Sequence, residues 1–172
     1  MNGYSGEVSR ALLVVAAAGA VALAAARPAA VFSDNLQIGQ SAPAFHVNTT
    51  DGLSLTGNFG GRPVYINVFA TWCPPCRREL PSVIAHAKQY RDRIVFLFVD
   101  EQEPPNVAKQ FASSLGVVMP VAIDPGQFAA TFGVGGLPWS IFIDRRGIVQ
   151  YIYRGNIPPI VLDDQLSKLA SS

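Results

Sequence analysis

The sequence predicts an α/β domain: a central mixed sheet flanked by helices on both faces and entered through an N-terminal β-hairpin. Three observations carry this. The runs "VYINVFA" (residues 64–70) and "IVFLFVD" (94–100) are almost continuously apolar and rich in branched and aromatic side chains, the mark of strands buried on both faces. Between them, "RRELPSVIAHAKQYRDR" (77–93) sets Leu80, Val83, Ile84 and Ala87 at helical spacing. Near the C-terminus, "SIFID" (140–144) and "IVQYIY" (148–153) flank "RRG", a turn that suits an antiparallel hairpin.

The remaining elements follow in order. Residues 11–26, "ALLVVAAAGAVALAAA", lie between Arg10 and Arg27 and hold no charge. At about 1.5 Å per residue they fall a little short of a hydrocarbon core roughly 30 Å thick. A cleaved signal peptide and a retained membrane anchor are both open, and either places the rest of the chain outside the cytoplasm, where a disulfide persists. Residues 1–33 are assigned to this segment and its linker, and residues 34–172 to one folded domain. "AFHVNTTDGLSL" (44–55) reads as two short strands around the turn Asp51-Gly52. After the second buried strand comes an inserted helix–strand unit: "NVAKQFASSLG" is an amphipathic helix ending at Gly116, and "PVAID" a short strand. "PGQFAATFGV" is a short helix begun by Pro125, and "IVLDDQLSKLA" closes the chain as a helix.

Composition excludes some functions. Thirteen Lys and Arg stand against twelve Asp and Glu, with no basic stripe to follow a phosphate backbone, so nucleic acid is not an expected partner. The chain has two cysteines, Cys73 and Cys76, both in "NVFATWCPPCRRELP". Cys73 comes at the carboxyl end of a buried strand, where open α/β sheets carry their reactive groups. Pro74 and Pro75 fit a helix's first turn, whose N–H groups have no intrahelical acceptor. Cys73 is therefore placed at the helix N-cap, facing the positive end of the helix dipole, with a lowered thiol pKa. It is the expected attacking sulfur. Cys76, one turn along, is placed to resolve the mixed disulfide. Arg77 and Arg78 add positive charge or simply point to water.

Rival readings of the pair are weaker. A structural disulfide would close a very small loop and constrain the unfolded chain little. A c-type haem needs His directly after the second Cys, where Arg77 stands. Zinc would need both cysteines together with His46 and His86, which lack finger spacing and read as ordinary polar residues. No metal or other cofactor is expected beyond the Cys73–Cys76 couple itself. The run Asp100, Glu101 and Glu103, followed by Pro104-Pro105, reads as a solvated loop.

The "WCPPC" motif, set after a buried strand and opening a helix, resembles the thioredoxin-fold oxidoreductases. With "IGQSAPAF", "FGVGGLPWSIFIDRRG" and the hydrophobic N-terminal segment, the chain looks most like their TlpA/ResA-like, cytochrome c maturation-type branch. That resemblance implies a thioredoxin-like fold and an extracytoplasmic thiol–disulfide oxidoreductase that reduces disulfides of envelope proteins such as apocytochrome c; a monomer is expected because one CxxC is enough for the exchange. It also implies a membrane electron donor that re-reduces the pair. By the same resemblance Pro138 matches the family's cis-proline, which faces the CxxC and positions substrate. Glu79 matches the acidic residue that exchanges a proton with the buried thiol. Asn67 stands where ordinary thioredoxins carry Asp, itself a feature of this branch, and Pro81 matches the helix-kinking proline. After the cis-proline the family has a small or acidic residue, whereas here Trp139 either packs inward or extends an apolar docking patch with Trp72 and Pro138. Two alternatives remain: a disulfide-donating oxidase, against which the strand "PVAID" in the insertion argues, and a copper-delivery protein binding Cu(I) through the two thiolates.

Overall fold

The computed structural model describes residues 36–57 and 59–172. The predicted segment 11–26 lies outside them, and among the described residues no helix is long and apolar enough to cross a membrane. The chain runs β1 (His46–Thr49), β2 (Ser54–Thr56), β3 (Val64–Phe69), α1 (Pro74–Tyr90), β4 (Val95–Glu101), α2 (Pro105–Ser114) and β5 (Val121–Asp124). It continues through α3 (Gln127–Phe132), β6 (Trp139–Ile143), β7 (Val149–Arg154) and α4 (Pro159–Ala170). One seven-stranded sheet results, in the order β2-β1-β5-β4-β3-β6-β7. β3, β4 and β5 are parallel, while β6 with β7 at one edge and β1 with β2 at the other are antiparallel.

The two apolar runs are β3 and β4, side by side at the centre, with all six residues of β3 buried. Strand alternation divides them between two cores. Tyr65, Phe69, Phe96 and Phe98 face α1 and α4, packing with Leu80, Val83, Ile84, Leu162 and Leu166. Ile66, Val68, Leu97 and Val99 face the other way, towards Phe128 and Phe132 of α3. There the two Phe rings stack with centroids 4.1 Å apart, and Phe45 meets both edge-on. The inserted unit does what its sequence suggested: β5 enters the sheet between β4 and β1.

The helix starts differ in detail from the sequence reading. α2 begins at Pro105, not at Asn106, because Pro104 adopts an extended conformation and Pro105 suits the first turn. α3 is not begun by Pro125. Its N-terminal N–H groups are instead satisfied by the buried carboxylate of Asp124, which accepts from Gly126, Phe128 and Ala129 at 2.9, 2.8 and 2.7 Å. Gly126, at φ 105°, turns the chain between the cap and the helix in a conformation that L side chains avoid.

Removing that carboxylate strands three N–H donors, two of them buried. Asp124→Ala should therefore lower the unfolding free energy by about 2 kcal/mol or more, and Asp124→Asn, which keeps one acceptor, by less. Urea denaturation of the three proteins checks this, and equal midpoints would contradict it.

Candidate functional site

The site is built where β3 turns into α1. Cys73 is the N-cap of α1, with extended backbone, and its Sγ accepts a hydrogen bond from the Cys76 N–H at 3.2 Å. Pro74 and Pro75 occupy the first helical positions, where a missing N–H removes no intrahelical bond. The two sulfurs are joined in a disulfide, S–S 2.07 Å. Both are buried, with Cys73 3% and Cys76 0% exposed, while Trp72 beside them is 67% exposed. Pro81 lies inside α1 and lacks the N–H that would bond the Arg77 carbonyl.

Glu79 is not a solvated helix charge. It is 3% exposed, and both carboxylate oxygens are engaged: Asn67 Nδ2 donates to Oε1 at 2.9 Å, and the Ile157 N–H donates to Oε2 at 2.8 Å. Burial pushes its carboxyl up to about 6, and the bonds from Asn67 and Ile157 hold it from rising further. It thus titrates just below neutral pH, where a carboxyl can both give and take a proton. Behind it, Tyr65 Oη lies 2.8 Å from Ser140 Oγ. Burial, and then the charge on Glu79, push the Tyr65 hydroxyl above its ordinary range, so it stays protonated.

The Leu137-Pro138 bond is cis, and Pro138 is buried. Val68 pairs with Trp139 in antiparallel register, which sets Pro138 beside the end of β3, next to the turn that leads to Cys73. Trp139 itself is 5% exposed in the α3-side core, and the Arg154 guanidinium lies 4.6 Å over its ring. Its place in a docking patch is corrected: Trp139 is core, because alternation along β6 turns it to the covered face. Trp72 remains outside, lining a groove together with Glu101, Gln102, Val134 and Leu137. A second cavity, lined by Ala42, Phe45, Phe59, Val64 and Ile143 among others, opens at the opposite end of β3 and carries no titratable group.

The acidic run at the end of β4 is the second correction. Asp100 is 0% exposed, and Glu103 accepts from both the backbone N–H and the hydroxyl of Thr71, two residues before Cys73. The sequence carried a signal for this, since Asp100 ends an apolar run whose neighbours are buried on both faces. Arg77 does not simply face water. It donates to the Thr71 carbonyl at 3.2 Å and lies 5.2 Å over the Phe111 ring. Thr71, Ser140, Tyr65 and Ile157 were not picked out by sequence; each is recruited by a fold contact rather than by local spacing. His46 bonds Ser54 and His86 bonds the Ser82 carbonyl, in separate elements. Among the described residues, no group of three or more His, Cys, Asp or Glu is arranged to hold a metal ion.

The Redoxin family matches residues 37–168 of the chain. Thiol-disulfide oxidoreductase ResA of Bacillus anthracis is 35% identical over 119 residues, which cover 67% of this chain and 69% of that protein. Among solved structures, a putative thiol:disulfide interchange protein DsbE from Chlorobium tepidum superposes with a TM-score of 0.73 at 28% identity. That match covers 79% of this chain and 99% of the other. The exposed lipoprotein thioredoxin Etrx1 of Streptococcus pneumoniae gives 0.65 at 27%, covering 74% and 100%.

Glu79 carries a pH signature. Its folded pKa of about 6 exceeds the ordinary 4.5, so the native state binds the extra proton between those values, and stability falls as pH rises through that window. Glu79→Gln should remove the dependence. The unfolding free energy of the variant relative to wild type should rise by up to about 2 kcal/mol from pH 4 to pH 7. Parallel titration curves for the two proteins would contradict this.

Proposed function

Since this chain belongs to the Redoxin family and is a thiol–disulfide oxidoreductase of the ResA/DsbE type, we propose that it is a dithiol reductant of extracytoplasmic protein disulfides. In this reading the Cys73 thiolate attacks one sulfur of a substrate disulfide, forming a Cys73–substrate disulfide and releasing a substrate thiolate. Cys76 then loses its proton and attacks Cys73 Sγ. The mixed disulfide breaks, the Cys73–Cys76 disulfide forms, and the second substrate thiolate leaves. Two electrons pass to the substrate, whose sulfurs end as thiols. Glu79 takes the Cys76 proton and returns it to a leaving thiolate.

The observation that carries the reading is the pairing of an N-capping Cys73 with a buried, donor-satisfied Glu79 on the same helix. The first supplies a nucleophile, and the second a proton acceptor whose pKa lies close to neutral. Exposed Trp72 and the groove beside it supply a docking surface for the polypeptide that bears the disulfide. An extracytoplasmic place is supported by the apolar segment 11–26 and by a relative described as an exposed lipoprotein. Cytochrome c maturation is the proposed setting, with apocytochrome c as the substrate and a membrane dithiol as the electron donor. The ResA and DsbE names of the relatives, and the branch features Asn67 and Glu79, support it.

Equilibrating the full chain in graded glutathione buffers gives the reduction potential of the Cys73–Cys76 couple. A value near or below about −230 mV is expected for a reductant. A value near about −120 mV would reverse the direction and make the protein a disulfide donor.

A further inference from the structure

Thr71 lies two residues before Cys73, and Glu103 holds it by two bonds. The Thr71 N–H donates to Oε2, and its hydroxyl donates to Oε1 at 2.6 Å. Three residues earlier, Asp100 is buried near the end of β4, in register with Phe69 of β3 and Ile123 of β5. Alternation places it on the face of Phe96 and Phe98, the face that packs α1 and both cysteines. Neither oxygen of Asp100 meets a well-aligned hydrogen-bond donor among the described residues, and both the backbone N–H and the carboxyl of Glu103 lie close enough to act on it, the N–H favouring its charged form and the carboxyl opposing it.

Two carboxyls in contact do not both ionise without a cation between them. None stands there. Phe69 and Ile123 bring no charge, Glu101 is a further anion, and Asp124 acts on Glu101. Arg77 is engaged with the Thr71 carbonyl and Phe111, and Lys109 of α2 is exposed. Both oxygens of Glu103 are already engaged as acceptors by Thr71, whereas Asp100 is fully buried with no well-aligned donor. The proton therefore belongs on Asp100, directed at Glu103.

We propose that Asp100 and Glu103 form a one-proton carboxyl pair that positions the Cys73 nucleophile by holding Thr71. The proposal rests on the reading of Cys73 as the attacking thiol. Both are positioning residues, acting through the turn rather than on the sulfur. Burial, with Glu103 next, pushes the Asp100 carboxyl up to about 8, so the pair keeps its proton at neutral pH. Above that, Asp100 ionises, the two anions repel, and the hold on Thr71 loosens. Cys73 reactivity should then fall at alkaline pH, where thiolate formation alone would keep it rising or level.

The test is the iodoacetamide alkylation rate of Cys73 in the reduced full chain from pH 5 to 10, with the modified residue identified by mass spectrometry. Wild type should lose reactivity above about pH 8. Asp100→Asn, whose amide donates to Glu103 at every pH, should abolish that loss. Glu103→Gln, which loses the charge and one acceptor for Thr71, should react about fivefold more slowly at pH 7. An alkaline fall that persists in Asp100→Asn, or a wild-type rate in Glu103→Gln, would overturn the proposal. Should Glu103→Gln not fold, infrared spectra of wild type labelled at the aspartate carboxyl carbon decide. A protonated-acid band at pH 7 that disappears by pH 10 supports the pair, and its absence at pH 7 overturns it. Alkylation found on Cys76 instead of Cys73 would overturn the underlying reading, and the proposal with it.

Discussion

A carboxyl group enters a protein interior only with donors to solvate its charge or with a proton to remove it. That constraint organises the region around the cysteines. Glu79 takes the first solution, and its two donors come from β3 and from the segment between β7 and α4. Satisfying one side chain thereby fastens a central strand, the first helix and the approach to the last helix to one point. The chain leaves β3 for α1 within four residues of that strand's end, so whatever fixes β3 against α1 also fixes Cys73. Asp100 takes the second solution on the same face of the sheet, and its partner Glu103 reaches the same turn from the segment after β4. The turn bearing the nucleophile is thus held through β3 by Glu79 and from the segment after β4 by Glu103.

These carboxyls act against the helix that carries the thiolate. Capping α1 places negative charge on Cys73 at a helix N-terminus, an arrangement worth about 0.3–2 kcal/mol. With about 1.4 kcal/mol per 30 mV for a two-electron couple, that raises the potential by no more than about 40 mV. The gap between thioredoxin and DsbA, about 150 mV, corresponds to roughly 7 kcal/mol. One cap cannot supply it. Anionic Glu79 and Glu103 nearby oppose a second negative charge, and the guanidinium of Arg77 points to the Thr71 carbonyl and Phe111 rather than to a sulfur. These electrostatics support the proposed direction, in which the couple gives up its electrons.

Much of the fold was legible because its signals are local. Continuous apolar runs marked β3 and β4, the 3.6-residue period marked α1, and Asp51-Gly52 marked the first hairpin. The N-cap position of Cys73 followed from two prolines after a strand, and the structure has that geometry. The start of α3 was misplaced for an equally physical reason. Proline is a good first helical residue, but Asp124 before it is a better cap, and its carboxylate sets the helix at Gln127.

The site was legible where a residue's role depends on its distance along the chain, and obscure where it depends on the partner strand. Glu79 lies three residues beyond Cys76, so a shared helical side was visible. That it needed Ile157 was not, because the bond spans 78 positions. Trp139 was ambiguous because alternation in a strand gives two faces without saying which is covered; burial beneath Arg154 settles it. Asp100 and Glu103 were misread as solvated because charge runs followed by proline usually are. Yet Asp100 occupies a sheet position between two covered neighbours, and a side chain there has no route to water. The polarity of a residue fixes what its burial costs, but its place in the sheet decides whether it is buried, and here position overrides composition.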